Sequence, residues 1–181
     1  MKTRHRHAPL GMAAVLLITA CGGGDSSDTT LTRIEEETME LTSPAFEEQG
    51  SIPVGHTCDG DDISPPLRIE AIPPEARTLV LIVDDPDAPG GTWDHWVAFN
   101  IPPGAEIPEN VGRLGTAGRN SSGNTGYDGP CPPSGTHRYV FRVYALDTEL
   151  GLAEAATKRQ VLDAMEGHVL GQGTLTGLYG R

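Results

Sequence analysis

Proline pairs set the terms for this chain. Ser64-Pro65-Pro66, Ile72-Pro73-Pro74 and Ile101-Pro102-Pro103 cut its apolar segments into short runs. Proline lacks the N–H that a helix interior or a central sheet ladder requires, so these pairs mark turns and sheet edges rather than helices. Three of the apolar runs look like core strands. Thr78 to Val83 (TLVLIV) is continuously apolar and rich in branched residues, as expected for a strand covered on both faces. His95 to Ile101 (HWVAFNI) and His137 to Leu146 (HRYVFRVYAL) are the other core strands. In the last, alternation puts His137, Tyr139, Phe141 and Val143 on one face and Arg138, Arg142 and Tyr144 on the other. One peripheral helix is expected near the end, where Thr157 and Gln160 have capping-box spacing and Val161, Leu162, Met165 and Val169 recur on one face.

The N-terminus reads as an export signal. Lys2, Arg4 and Arg6 precede an apolar stretch through Leu10, Met12 and Val15 to Ile18, far shorter than the roughly 20 residues a spanning helix needs. Ile18-Thr19-Ala20-Cys21 looks like a bacterial lipobox, with Cys21 as the lipidated residue; a plain secretory leader or a buried helix is the alternative. Residues 1–20 are then a signal peptide, 21–38 a lipidated cysteine and polar tether with little to bury, and 39–181 one domain. The expected location is the bacterial cell envelope, facing the periplasm or exterior, with the membrane engaged through the lipid alone. Loss of residues 1–20 removes three cations and no anions, taking the formal charge from −12 to −15, which disfavours a nucleic-acid partner. With Cys21 lipidated, Cys58 and Cys131 remain as an even pair. A disulfide is the economical reading, two separate buried thiols the other.

Three constellations carry possible chemistry. Asp84-Asp85-Pro86-Asp87-Ala88-Pro89 follows the TLVLIV strand, and parity brings Asp85 out on the side of Leu79, Leu81 and Val83. A carboxylate there is costly unless it accepts hydrogen bonds; taken alone, a solvated Asp/Pro turn is the commoner outcome. Trp93-Asp94-His95-Trp96 opens the next strand, where parity groups Trp93, His95, Val97 and Phe99. Gly135-Thr136-His137-Arg138-Tyr139 opens the third. From Gly112 to Gly135 runs a long Gly/Asn/Ser/Pro loop, of a length usually functional or mobile.

The DPDAP block (Asp85 to Pro89), the Trp93–Trp96 strand and the GPCPPSGTHRY block (Gly129 to Tyr139) resemble the signature segments of the phosphatidylethanolamine-binding protein family, and the segment from Thr57 to Leu67 resembles its bacterial, Raf kinase inhibitor-like branch. The resemblance spans roughly residues 39 to 181. It implies an all-β fold, an antiparallel β-sandwich with Greek-key arrangement, and a shallow pocket for phosphate, carboxylate or a phospholipid head group. Carried over by motif, Asp85, His95 and His137 match the pocket's acid and two histidines, Asp87 and Tyr139 its supporting acid and tyrosine, and Gly129, Cys131 and Pro132 the loop whose amide faces the anion. An imidazolium and a loop amide can hold an oxyanion. No cofactor or metal is expected, and a protein partner is a further possibility the family suggests. The sequence departs from animal relatives in a short Pro133–His137 segment and in a tail without the extra helix that partly covers their pocket.

Two other chemistries compete. A His/Asp pair with bound water could hydrolyse small phosphoesters or esters, although there is no GxSxG elbow and Ser121 and Ser122 have no placed base. Asp85, His95 and His137 are also suitable ligand types for zinc with an open fourth position. Asp59, Asp61 and Asp62 lack the calcium-loop ligand series and read as a solvated turn.

Overall fold

The computed structural model describes residues 37–181; the leader, Cys21 and most of the tether lie outside them. The strands are β1 (Glu37–Thr38), β2 (Glu40–Thr42), β3 (Gly50–Ser51), β4 (Leu67–Glu70), β5 (Thr78–Asp85), β6 (Trp93–Ile101), β7 (Glu106–Ile107), β8 (Thr116–Ala117), β9 (Thr136–Leu146) and β10 (Val169–Gly180). A 3₁₀ turn at Val54–His56 and one α-helix, α1 (Lys158–Met165), complete the list. A large sheet runs β1-β10-β9-β5-β6-β8, with β3 also on β10; β2-β4-β7 form a small sheet. The fold is thus the expected β-sandwich, with one refinement: β1 and β3 join β10 in parallel, while the other ladders are antiparallel.

The central strands are buried on both faces, which explains the uninterrupted apolar run of β5. Its odd residues Leu79, Leu81 and Val83 pack with Leu41, Phe46, Leu67, Ile69 and Phe141 between the two sheets. Its even residues Val80 and Ile82 pack with Val97, Phe99, Val161 and Met165 beneath α1. Thr157 caps α1 as the spacing indicates: its hydroxyl accepts from Gln160 N, and the Gln160 side chain accepts from Thr157 N. The helix is shorter than its apolar periodicity suggests. Leu162 is 40% exposed, and Val169 opens β10 instead of extending the helical face, because the chain turns at Gly167 with φ +80°.

The 12-residue β10 has no clear signature in the sequence. Glycines at 171, 173 and 177 dilute its pattern, and their role is tertiary. A Cβ at Gly171 or Gly173 would stand 2.8 Å from Glu37 O or 2.7 Å from Met39 O, and one at Gly177 would stand 2.5 Å from Ile52 Cγ1. Bare backbone here lets the N-terminal segment lie directly against the strand.

Two irregularities in β6 change which side chains share a face. Leu79 pairs with Ile101 but Leu81 with Ala98, and between them Asn100 takes a left-handed φ of +51°. Its side-chain amide donates to Leu150 O at 2.9 Å and accepts from Leu150 N at 2.8 Å. At the other end Val83 pairs with Trp96 but Asp84 with Asp94, which leaves His95 as the extra residue of a β-bulge.

Candidate functional site

The bulge at His95 builds the site. Strict alternation groups His95 with Val97 and Phe99; the structure does not. Val97 and Phe99 face α1, Trp96 and Ala98 face the inter-sheet core, and His95 swings to the same side as Trp93, onto the wall of a cleft of ≈ 570 Å³. Its carbonyl accepts from Asp128 N at 3.0 Å, and its Nδ1 lies 2.8 Å from Asp128 O. A carbonyl can only accept, so the ring proton sits on Nδ1 and the remaining ring nitrogen is Nε2. The His95 and Tyr139 rings meet in a T-shaped arrangement, centroids 5.2 Å apart at 75°.

Asp85 ends β5 on the predicted side and is 3% exposed. Both its oxygens are used: Oδ1 accepts from Asp87 N at 2.8 Å and Oδ2 from His137 Nδ1 at 2.7 Å. The buried carboxylate therefore serves His137, while His95 is held by a backbone carbonyl. Asp85, His95, Gly129 and Cys131 line the cleft. His137 stands behind Asp85, and Tyr139 is fully buried beneath. Burial, then the Asp85 carboxylate, pushes the Tyr139 hydroxyl well above the ordinary phenol range. That hydroxyl lacks a well-formed hydrogen bond, the Cys131 amide being the donor directed at it. Asp87 turns away from the cleft to Arg138, accepting from its backbone N at 3.0 Å, Nε at 2.9 Å and Nη2 at 2.7 Å. These bonds hold the Asp87 carboxyl down at about 2. Pro132 is buried behind the loop.

The turn at 57–62 contributes more than a solvated run of acids. Asp62, with φ +56°, lines the cleft and accepts from Gly129 N at 2.7 Å, so that amide is already committed. Asp59 accepts from Arg181 Nη2 at 2.6 Å and Tyr179 hydroxyl at 2.7 Å. Cys58 and Cys131 are joined in a disulfide that spans 73 residues of sequence. The 112–135 segment, expected as one long loop, carries β8, and its remainder is tied down by that bridge, by Tyr127 hydroxyl to His56 O at 2.7 Å, and by the Ser121–Asp94 pair. Sequence reasoning missed Asp62, Trp93 and Asp128 as wall residues; the signal that the two loops belong together was the even pair Cys58 and Cys131, which the structure joins.

On the opposite face of the β5–β6 ladder, Asp84, Asp94, Arg142 and Lys158 form a compact charge network that fastens α1 to the sheet. Arg142 Nη1 lies 2.9 Å and Lys158 Nζ 3.2 Å from Asp84, and Lys158 also pairs with Asp94. Among the described residues, no group of three or more His, Cys, Asp or Glu side chains could hold a metal ion. The ligand set Asp85, His95 and His137 is instead divided between two separate hydrogen-bonded pairs.

The sequence model of the phosphatidylethanolamine-binding protein family matches residues 42–180. The UPF0098 protein of Methanothermobacter thermautotrophicus is 57% identical over 150 residues, covering 79% of this chain and 99% of its own length. That of Pyrococcus abyssi is 46% identical over 183 residues, covering 96% and 97%. A solved phosphatidylethanolamine-binding protein homolog of Chlamydia trachomatis matches with a TM-score of 0.77 at 42% identity, over 81% of this chain and 99% of that one. YbcL of E. coli, described as a member of the mammalian family, matches at 0.73 and 28% identity, over 79% and 98%. With sequence and fold agreeing over nearly the whole described domain, the chain belongs to the phosphatidylethanolamine-binding protein family.

Proposed function

We propose that this is an exported, lipid-anchored binding protein whose cleft takes a small oxyanion of a phosphate, carboxylate or phospholipid head group, and which can act on a partner protein through that cleft. The observation that carries this reading is the posture of His95: its Nδ1 is fixed by Asp128 O at 2.8 Å, and the ring lies on the cleft wall. Protonated, such a ring offers Nε2–H as a charged donor to an oxyanion. The wall also carries Asp62, Asp85 and Asp128 and no lysine or arginine. Asp85 is committed to its hydrogen bonds with Asp87 N and His137 Nδ1, and the acids on the wall favour a ligand that carries a cation beside its oxyanion. Phosphorylethanolamine should therefore bind better than bare phosphate. Trp93, 42% exposed at the rim, suits the apolar remainder of such a ligand.

Hydrolysis by a His/Asp pair finds less support, because the histidine paired with Asp85 is His137, whereas the histidine on the cleft wall is His95, held by the Asp128 carbonyl. No described helix is long and apolar enough to cross a membrane, and the anchor rests on Cys21.

Calorimetric titration with phosphorylethanolamine tests the pocket. His95→Ala should weaken binding by about 1.5–3 kcal/mol, the range for a hydrogen bond to a charged group, and wild-type affinity should fall as rising pH removes the imidazole proton. Circular dichroism controls for folding, and equal affinities would end the anion reading. For the anchor, metabolically supplied fatty acid should label the wild type and not Cys21→Ser.

A further inference from the structure

One wall of the cleft is formed by a disulfide, Cys58–Cys131, and both half-cystines are exposed. It joins the 57–62 turn to the loop whose Asp128 carbonyl positions His95. The other ties between the two segments among the described residues are hydrogen bonds, Cys58 N to Pro130 O at 3.2 Å, Gly129 N to Asp62 at 2.7 Å and, beside the turn, Tyr127 hydroxyl to His56 O at 2.7 Å. The surroundings of the two sulfurs are unequal. Arg181 Nη1 stands 3.8 Å from Cys131 Sγ, and its Nη2 is anchored on Asp59. A fixed guanidinium beside one sulfur stabilises that sulfur as a thiolate, which makes it the better leaving group.

We propose that Cys58–Cys131 is a thiol–disulfide exchange site for a dithiol reductant, which attacks Cys58 Sγ and expels Cys131 as a thiolate beside Arg181, and that opening this bridge loosens the ligand cleft; the second half rests on the binding reading above. In the first step a reductant thiolate forms a bond to Cys58 Sγ as the Cys58–Cys131 bond breaks. The electron pair leaves on Cys131 Sγ, which then takes a proton from water. In the second step the reductant's other thiolate attacks its own sulfur in the mixed disulfide, and Cys58 leaves as a thiolate and is protonated in turn. The dithiol gives up two electrons and two protons, and the protein disulfide gains both.

The test uses the full chain under native conditions. Brief exposure to glutathione, acid quenching and peptide mapping should find the glutathione adduct on Cys58 with Cys131 free. With dithiothreitol as the dithiol, Arg181→Gln should slow thiol release about threefold and spread the adduct over both cysteines. Phosphorylethanolamine affinity, measured before and after reduction, should fall about tenfold as His95 loses its fixed carbonyl, with unchanged circular dichroism. A bridge that resists reduction until the protein is denatured, or an adduct on Cys131, overturns the exchange site. Unchanged affinity, or unfolding on reduction, overturns the clamp. If the oxidised protein binds no phosphorylethanolamine at all, the ligand reading and the clamp fall together, while the adduct map and release rate still decide the exchange chemistry.

Discussion

Asp85 organises the floor of the cleft, and its replacement has a cost that can be worked from its two bonds. The side chain is buried, with Oδ1 accepting from Asp87 N at 2.8 Å and Oδ2 from His137 Nδ1 at 2.7 Å. Each hydrogen bond to a charged acceptor is worth about 1.5–3 kcal/mol, and breaking a buried pair by deleting one partner costs about 3–5 kcal/mol because the other is stranded. Asp85→Ala removes both bonds and leaves the His137 Nδ1–H facing a gap. The cleft lets water reach part of that gap, so the expected loss is near the lower end, about 3–4 kcal/mol. Asp85→Asn behaves differently. Its carbonyl can still accept from Asp87 N, and its amide N–H can donate to His137 Nδ1 once the ring proton moves to Nε2. One bond survives and one is reversed, for an expected loss of about 1–2 kcal/mol. Urea unfolding followed by the fluorescence of Trp93 and Trp96 measures both variants, and ¹⁵N-detected imidazole spectra read the tautomer directly. Alanine and asparagine equally destabilising, or an unchanged His137 tautomer in Asp85→Asn, would refute the reasoning.

The Asp87–Arg138 pair gives a pH signature. The Asp87 carboxyl titrates near 2 in the fold against an ordinary 3.8, so its contribution is fully present above the ordinary value and is lost as pH falls through the folded one. The stability gap between wild type and Asp87→Asn should therefore close between pH 4 and pH 2, modestly because the pair is solvent-facing, and a gap that stays constant over that range would contradict the assignment. Gly177→Ala places a Cβ 2.5 Å from Ile52 Cγ1 and 2.8 Å from Phe46 Cε2; overpacking of this kind should cost about 1–3 kcal/mol in urea unfolding, and a neutral result would show that the N-terminal segment is not pressed against β10.

Much of this protein is legible in one dimension because strand chemistry is local. A continuous branched run specifies a strand buried on both faces, proline pairs specify where ladders stop, and the Thr157–Gln160 spacing specifies where a helix begins. The motifs carrying Asp85, His95 and His137 are likewise contiguous, so their identity needs only the sequence. Their arrangement needs the fold. Strand parity assumes an unbroken pleat, and the bulge at His95 adds one residue that shifts the phase, so His95 leaves the face of Val97 and Phe99 for the cleft. Which partner each histidine takes was equally closed to sequence: Asp85 reaches His137 across 52 residues and Asp128 reaches His95 across 33. The glycines of β10 look like a weak strand until the backbone that crosses them is present, and the acids at 59 and 62 look solvated until Arg181 and Gly129 arrive. Local propensity and pattern are properties of a segment, readable wherever it lies, whereas hydrogen-bond partners, bulge phase and the occupancy of an amide are set by atoms the chain brings together only after it has folded.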